Sequence, residues 1–255
     1  MSQTAFTVAT WNILATAYIR PEFYPRTAPE WLDPAWRVPA LVARGVALDV
    51  DVLCLQEVEP NVFGALETAL VGYAGSYSQK AKRPDGCATF ARRGRFQQTG
   101  VARIPLPFGH VAHLLRLEHD GRHLTIVNTH LKWDPPGTAR DHQWGYRQIS
   151  RVAEALRAES PAPSAAIVCG DFNVLPDSDV VELLVTDGYD YAHRNTAGVR
   201  TCNSNGEAKL IDYLFYSESL RAEPRLPVPI DGQTPLPSPD QPSDHLPLVA
   251  QFDWR

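Results

Sequence analysis

Val50-Asp51-Val52-Leu53-Cys54-Leu55-Gln56-Glu57-Val58 is an apolar, β-branched run that ends on a carboxylate. A short run of this kind predicts a strand buried on both faces. Glu57 follows the apolar stretch directly and is expected to be half-buried, where a carboxylate is costly unless it meets a cation. Similar runs recur at residues 6–10, 124–128, 165–168, 210–216 and 248–252, and each reads as a strand. Helical patterns fall between them. Asp33 followed by Pro34 is an N-cap and first-turn signal that opens a helix to about Leu48. Pro39 is expected to break or restart it. Residues 62–71 and 146–159 are further helices by pattern. Alternating strands and helices define an α/β class.

A two-fold echo runs through the chain. One strand ends in Asn12, and 45 residues later another ends in Glu57. A later strand ends in His130, and 41 residues on another ends in Asp171. If the strands of each half share a sheet, all four polar tips fall at one end of the molecule. Residues 224–247 hold eight prolines in 24 positions and read as a long returning loop, because the last eight or so residues read as a strand.

Length and composition narrow the possibilities. The 255 residues lie near the upper end of what one core holds, so a single domain over 1–255 is expected. A net charge of −5 argues against a protein that coats long nucleic acid by phosphate neutralisation. The four cysteines have no CxxC spacing, which argues against a cysteine zinc site, and Cys54 and Cys169 read as small buried residues. The N-terminus lacks the charge and apolar pattern of a signal peptide, and no apolar run approaches the ~20 residues of a membrane helix. These features predict a soluble, cytoplasmic, monomeric protein with no membrane and no obligate protein partner.

The strand tips carry the chemistry. They are Asn12 in TWNIL, Glu57 in LCLQEV, His130 in VNTHL, Asp171 and Asn173 in CGDFN, Asp212 in LIDYLFYS, and Asp244-His245 in PSDHLPL. Singly, an Asn or Asp at a tip is an ordinary turn residue. Eight such residues at six tips together are a poor coincidence, since strand C-termini in open α/β sheets are where ligands bind. Glu57, Asn12 and Asp244 suit a hard cation, Mg²⁺ or Mn²⁺. Two histidines can donate to phosphate oxygens, and an Asp near the metal can orient or deprotonate water. Those are the parts for metal-assisted hydrolysis of a phosphoester. There is no G-x-x-x-x-G-K-[ST] and no G-x-S-x-G, so neither a P-loop nor the usual hydrolase nucleophile elbow is present.

WNIL, LQEV, NTHL, GDFN, IDY and SDH, in this order and spacing, resemble the endonuclease/exonuclease/phosphatase superfamily, from about residue 6 to 253. DGCATF at 85–90, with WNILA, IDYLFYS and SDHLPLV, is similar to the subgroup holding the poly(A) deadenylases, nocturnin, Angel proteins and the 2′-phosphodiesterase. The resemblance implies a deoxyribonuclease-I-like fold: a four-layer sandwich of two mixed β-sheets flanked by helices. It implies that Glu57 is the main metal ligand, with Asn12 and Asp244 completing or flanking the site. Asp171 would activate the attacking water, Asn173 and His130 would contact phosphate oxygens, and His245 would stabilise developing charge while Asp212 fixes its tautomer. The implied activity is a Mg²⁺- or Mn²⁺-dependent phosphoesterase acting on an RNA end or a nucleotide, of the 3′-exoribonuclease or 2′,3′-cyclic phosphatase type. An NADP 2′-phosphatase, a DNA nuclease, a lipid phosphatase and an inactive RNA- or protein-binding module are the alternatives. The deadenylases carry an adenine-stacking aromatic shortly before IDY. This chain has Asn205-Gly206-Glu207-Ala208-Lys209 there, so no adenine preference is carried over.

Weaker signals remain. Residues 79–96 carry Lys80, Lys82, Arg83, Arg92, Arg93 and Arg95 against Asp85 alone, and read as a solvated hairpin face or an electrostatic guide. Lys132 and Arg147 follow the His130 tip and are candidate phosphate contacts. His110 and His113 read as loop or strand residues, and the six tryptophans as mostly core. Trp133 and Trp144 flank a Pro-Pro-Gly turn and could offer a base-stacking surface.

Overall fold

A computed structural model describes residues 5–159, 165–204 and 206–255. In chain order the first strands are β1 (Phe6–Asn12), β2 (Val52–Val58), β3 (Tyr73–Gln79), β4 (Gly86–Arg92) and β5 (Gln97–Pro105). Next come β6 (Val111–His119), β7 (Arg122–His130), β8 (Ala165–Asp171), β9 (Tyr189–Tyr191) and β10 (Cys202–Ser204). The last are β11 (Glu207–Lys209), β12 (Asp212–Ser217), β13 (Leu220–Arg225) and β14 (Leu248–Trp254). The helices are α1 (Pro34–Ala47), α2 (Pro60–Ala69), α3 (Trp144–Arg157) and α4 (Asp179–Thr186). One six-stranded sheet runs β13-β14-β1-β2-β4-β3, and a second runs β5-β6-β7-β8-β12-β9. β10 and β11 form a small hairpin.

Period-two alternation builds four layers. Phe6 and Val8 of β1, with Val52 and Cys54 of β2, meet Ile126, Ile167 and Leu214 between the sheets. Their strand neighbours Ala9, Trp11, Leu53 and Leu55 point the other way, against Leu41, Val62 and Leu66 of α1 and α2. On the far side Ile149, Val152, Val180 and Leu184 of α3 and α4 cover Val127, Val168 and Phe215. Each fully buried Val, Leu, Ile or Phe stabilises the fold by about 1.5–3 kcal/mol. The expected sandwich of two mixed sheets flanked by helices is the observed fold.

The echo has a structural counterpart. β1 and β2 pair in parallel, with Asn12 opposite Gln56. β7 and β8 pair in parallel, with His130 opposite Asp171. β12 runs antiparallel to β8 and starts with Asp212 opposite Asp171. Five polar positions therefore lie at one end of the sandwich.

Some local expectations need correction. α1 continues through Pro39 without a break. Pro39 is exposed. A helix-interior proline costs about 3 kcal/mol, and the stripe Arg37, Leu41 and Gly45 buried along α1 offsets it. The N-cap reading holds, since the Asp33 carboxylate accepts from the Ala35 amide at 2.8 Å. Observed strands extend past the apolar runs into their polar tips, and β3–β6, β9–β11 and β13 carried no readable pattern. The proline-rich stretch begins inside β13, an edge strand where Pro224 is tolerated. Of six tryptophans only Trp11 is fully buried, and Trp133 is exposed. All four cysteines are buried and free. No helix among the described residues is long and apolar enough to cross a membrane.

Candidate active site

Backbone geometry aims the side chains. A register shift between Leu55 and Val58 interrupts the β2–β4 ladder, and Glu57 sits there with φ 58°. Such a bulge re-aims a side chain out of the ordinary alternation. Leu14 (φ 54°) and Asn173 (φ 55°) are left-handed too, so three strained non-glycine residues surround one site. Gly170 precedes Asp171 because a Cβ there would lie 1.8 Å from the Thr129 carbonyl oxygen of β7. Only glycine lets the two strands approach this closely with Asp171 at the tip.

Asp171 is the centre of the network. Its Oδ1 accepts from the Asn173 amide at 2.9 Å. Its Oδ2 accepts from Asn12 Nδ2 at 2.9 Å. The same Oδ2 lies 3.7 Å from Nε2 of His130 and 3.7 Å from Nε2 of His245. These gaps exceed hydrogen-bond length, so both imidazoles converge on one carboxylate oxygen without closing on it. Asp171 is raised to about 7 by burial, the Asp212 charge adding and the His245 charge opposing.

Asp212 holds His245 through both oxygens, 3.1 and 2.9 Å from Nδ1. Burial works to lower the His245 pKa, but the charges of Asp212 and Asp171, with the Asp212 hydrogen bond, outweigh it and raise the ring well above the ordinary value. His245 is therefore a cation with Nε2–H facing Asp171. His130 is the opposite case: burial first, then the positive charges of Lys80 and His245, hold it well below the ordinary value. It is a neutral ring.

The remaining tips are drawn in by hydrogen bonds. Asn12 Nδ2 also donates to Glu57 Oε1 at 3.1 Å, while its Oδ1 accepts from the Leu14 amide at 2.9 Å. The sequence reading places Asn12 among metal ligands; in this arrangement its nitrogen faces two carboxylates and spaces them. Glu57 Oε2 accepts from the Ala15 amide at 2.8 Å. Asn173 Nδ2 lies 3.1 Å from His130 Nε2 and donates to the Leu131 carbonyl at 3.0 Å. Asp244 accepts from the Tyr24 hydroxyl at 3.0 Å.

The donor set fits a hard divalent cation. Glu57, Asp171 and Asp244 have no lysine or arginine within ion-pair distance among the described residues. Burial raises the Glu57 pKa, against the Lys80 charge and with that of Asp244. A cluster of buried oxygen donors with excess negative charge is what such an ion satisfies. The ligand atoms of Asp171, Asp212 and His245 lie within 4.8 Å of one another, as do those of Cys202, Asp244 and His245; neither group includes Glu57, and a protonated His245 has no lone pair for a metal, so each supplies carboxylates to a cation and not an imidazole.

Three supporting residues escaped the sequence reading. Lys80 belongs to the basic run but is buried, with Nζ 2.7 Å from Asp85 and 3.2 Å from His130 Nδ1. Tyr18 donates to the other Asp85 oxygen at 2.6 Å. Arg37 is fully buried in α1, and its guanidinium donates to the carbonyls of Ile13, Leu14 and Pro242, fastening the chain on both sides of the site. The DGCATF motif was the signal for Asp85; no sequence pattern marks Arg37. His110 donates from Nδ1 to the His130 carbonyl at 2.8 Å. Lys132 and Arg147 are not in the carboxylate network. Lys132 Nζ donates to the Trp133 carbonyl, and Arg147 donates to the Asp141 carbonyl.

Two packed mixed sheets with a carboxylate–histidine cluster at their shared end define a known class. Residues 9–245 match the Endonuclease/Exonuclease/phosphatase family, and the chain belongs to it. It is 30% identical to Nocturnin of Xenopus laevis over 295 residues, covering 98% of this chain and 73% of that protein. It is 27% identical over 332 residues to the CCR4-Not complex 3′-5′-exoribonuclease subunit Ccr4 of Saccharomyces cerevisiae, covering all (100%) of this chain and 39% of that protein. The chain thus spans about two-fifths of the yeast relative's length. Among solved structures, ANGEL2, a 2′,3′-cyclic phosphatase in complex with adenosine-2′,3′-vanadate, superposes with a TM-score of 0.83 at 21% identity. That match covers 98% of this chain and 96% of that one. The human Nocturnin catalytic domain with bound sulfate gives a TM-score of 0.78 at 26% identity, covering 99% and 94%.

Proposed function

We propose that residues 1–255 form one catalytic unit, a cytoplasmic divalent-metal-dependent phosphoesterase that hydrolyses a phosphate ester at an RNA end or on a nucleotide. The observation that carries this reading is the convergence of His130 Nε2 and His245 Nε2 on Asp171 Oδ2, each at 3.7 Å. Relatives named as a 3′-5′-exoribonuclease, a 2′,3′-cyclic phosphatase and a 2′,5′-phosphodiesterase support the substrate class.

Glu57 and Asp244 would hold Mg²⁺ or Mn²⁺, with Asn12 spacing the carboxylates. When bound, the ion supplies positive charge to a phosphate oxygen. Asp171, raised to about 7 and carrying two hydrogen bonds, takes the proton of the attacking water. Cationic His245, held by Asp212, donates from Nε2 to the phosphate and meets the negative charge that develops there. His130 and the side-chain amide of Asn173 would contact further phosphate oxygens.

The test is hydrolysis of poly(A), mixed single-stranded RNA, RNA with a 2′,3′-cyclic phosphate end, NADP, single-stranded DNA and an inositol phospholipid, in Mn²⁺ and in EDTA. The reading predicts Mn²⁺-dependent cleavage of RNA or a nucleotide, with poly(A) cut no faster than mixed RNA. Cleavage of DNA or lipid alone reassigns the substrate. Hydrolysis untouched by EDTA, or none of any substrate, contradicts the reading.

A further inference from the structure

We propose that Phe108, Lys132, Trp133, Trp144 and Arg147 form a platform for single-stranded RNA beside the catalytic site, stacking unpaired bases and meeting their phosphates. The proposal rests on the reading of that site as one for an RNA end, and extends it to the nucleotides beyond the reacting one.

Phe108 is 51% exposed and adopts φ 65°, ψ 20°. A left-handed aromatic is a backbone outlier, and exposing half its ring gains little burial, so neither feature serves folding. Trp133 is 54% exposed, and its ring has no aromatic or cationic partner among the described residues. The Trp144 ring lies 5.0 Å from Phe108, tilted 55°. Cations are interleaved: Lys132 Nζ is 4.9 Å from the Phe108 centroid and the Arg147 guanidinium is 5.2 Å from that of Trp144. Neither Lys132 nor Arg147 has a carboxylate within ion-pair distance among the described residues, so their charge is available to phosphates in a chain that is acidic overall. Aromatic rings interleaved with cations that no carboxylate neutralises are the equipment for unpaired bases; a duplex keeps its bases stacked on each other.

The platform is tied to the catalytic end. Gln148 of α3 is fully buried. Its Oε1 accepts from the Lys132 amide and its Nε2 donates to the Pro107 carbonyl, both at 2.8 Å. Asp134 accepts from the Gly145 amide at the start of α3, also at 2.8 Å. Lys132 lies two residues past His130 along the chain, so the platform is joined directly to that tip.

The experiment is fluorescence anisotropy of a labelled single-stranded RNA of mixed sequence, about a dozen nucleotides long, titrated with the full chain in EDTA so that nothing is cut. Phe108→Ala and Trp133→Ala, both at exposed positions and checked by thermal melting, should each weaken Kd by about fivefold or more. Lys132→Gln with Arg147→Gln should lower the slope of log Kd against log salt by about one to two. Unchanged affinity in the aromatic variants overturns the proposal and leaves the patch to a protein partner; equally tight binding of duplex RNA also overturns it. Wild-type hydrolysis of the same RNA in Mn²⁺ is measured separately. Variant-sensitive binding without hydrolysis keeps the platform and removes the functional reading; hydrolysis with variant-insensitive binding does the reverse.

Discussion

The ammonium of Lys80 lies 3.2 Å from Nδ1 of His130, a charged donor against one of the two ring nitrogens. A neutral imidazole has one lone-pair nitrogen, and an ammonium can only donate. Asn173 Nδ2, 3.1 Å from Nε2, is a donor as well, so the two compete for the single lone pair; the ammonium is the stronger donor and Asn173 Nδ2 keeps its bond to the Leu131 carbonyl, which leaves the proton on Nε2, the atom 3.7 Å from Asp171 Oδ2. Lys80→Met should lower turnover by about tenfold to a hundredfold. It should also destabilise the fold by about 3–5 kcal/mol by leaving Asp85 buried and unpaired. Lys80→Met with Asp85→Asn should regain much of the stability but not the turnover. Nitrogen NMR of the His130 ring reads the tautomer directly; an unchanged tautomer in Lys80→Met contradicts this assignment.

The Asp212–His245 pair makes a second prediction. Asp212→Asn removes the charge that raises His245, so the ring becomes neutral near pH 7 and turnover falls by about 10²–10⁴. Mn²⁺ affinity should change little, because Asp212 is engaged with His245. Asp171→Asn should also lower turnover, and the double variant should be far less than additive, since both lesions affect one transition state. Calorimetric Mn²⁺ titration is the check: loss of binding in Asp212→Asn moves Asp212 to the metal ligands.

Much of this site was readable in the chain because strands buried on both faces are unbroken apolar runs, and whatever polar residue ends them stands out. Glu57 after Leu53-Cys54-Leu55-Gln56 and Asp171 after Ile167-Val168-Cys169-Gly170 are such cases. The spacing of the two halves anticipated the parallel pairs β1–β2 and β7–β8. Burial created by distant chain segments was not readable. Lys80 sits among exposed charges in sequence and becomes internal only because Asp85 and His130 meet it in space. β3 is a polar edge strand, so no alternation marked it.

Arg37 is the clearest unread residue, and it yields a stability prediction. A methionine there keeps the bulk but removes the donors to the carbonyls of Ile13, Leu14 and Pro242. Buried carbonyls left unmet cost about 1–3 kcal/mol each. Arg37→Met should therefore lower stability by roughly 3 kcal/mol or more in urea unfolding, and a change below about 1 kcal/mol would show that those carbonyls find other donors.

Stability should also fall in acid. His113 is buried in β6 between Ser76 Oγ and Ser78 Oγ, each at 2.8 Å, and burial pushes its pKa down to about 4. In the unfolded chain a histidine titrates near about 6.5. Below that value the unfolded state takes up a proton that the native state refuses. The stability present above pH ~6.5 is thus lost as pH falls to about 4, by roughly 3 kcal/mol from this residue. His113→Gln should flatten the Tm profile between those two pH values; an identical profile would assign the acid limb to other groups.

In the proposed function Glu57 anchors the cation on which hydrolysis depends. Its carboxylate is held by Asn12 and the Ala15 amide with no lysine or arginine in ion-pair contact among the described residues. Glu57→Gln keeps the shape and removes the charge. The decisive measurement is hydrolysis of end-labelled single-stranded RNA by wild type and Glu57→Gln across a Mn²⁺ titration, with thermal melting alongside. Wild type should show Mn²⁺-dependent cleavage, and Glu57→Gln should show none at any Mn²⁺ concentration with a melting temperature kept or raised. Near-normal turnover of Glu57→Gln at saturating Mn²⁺ would contradict this role of Glu57.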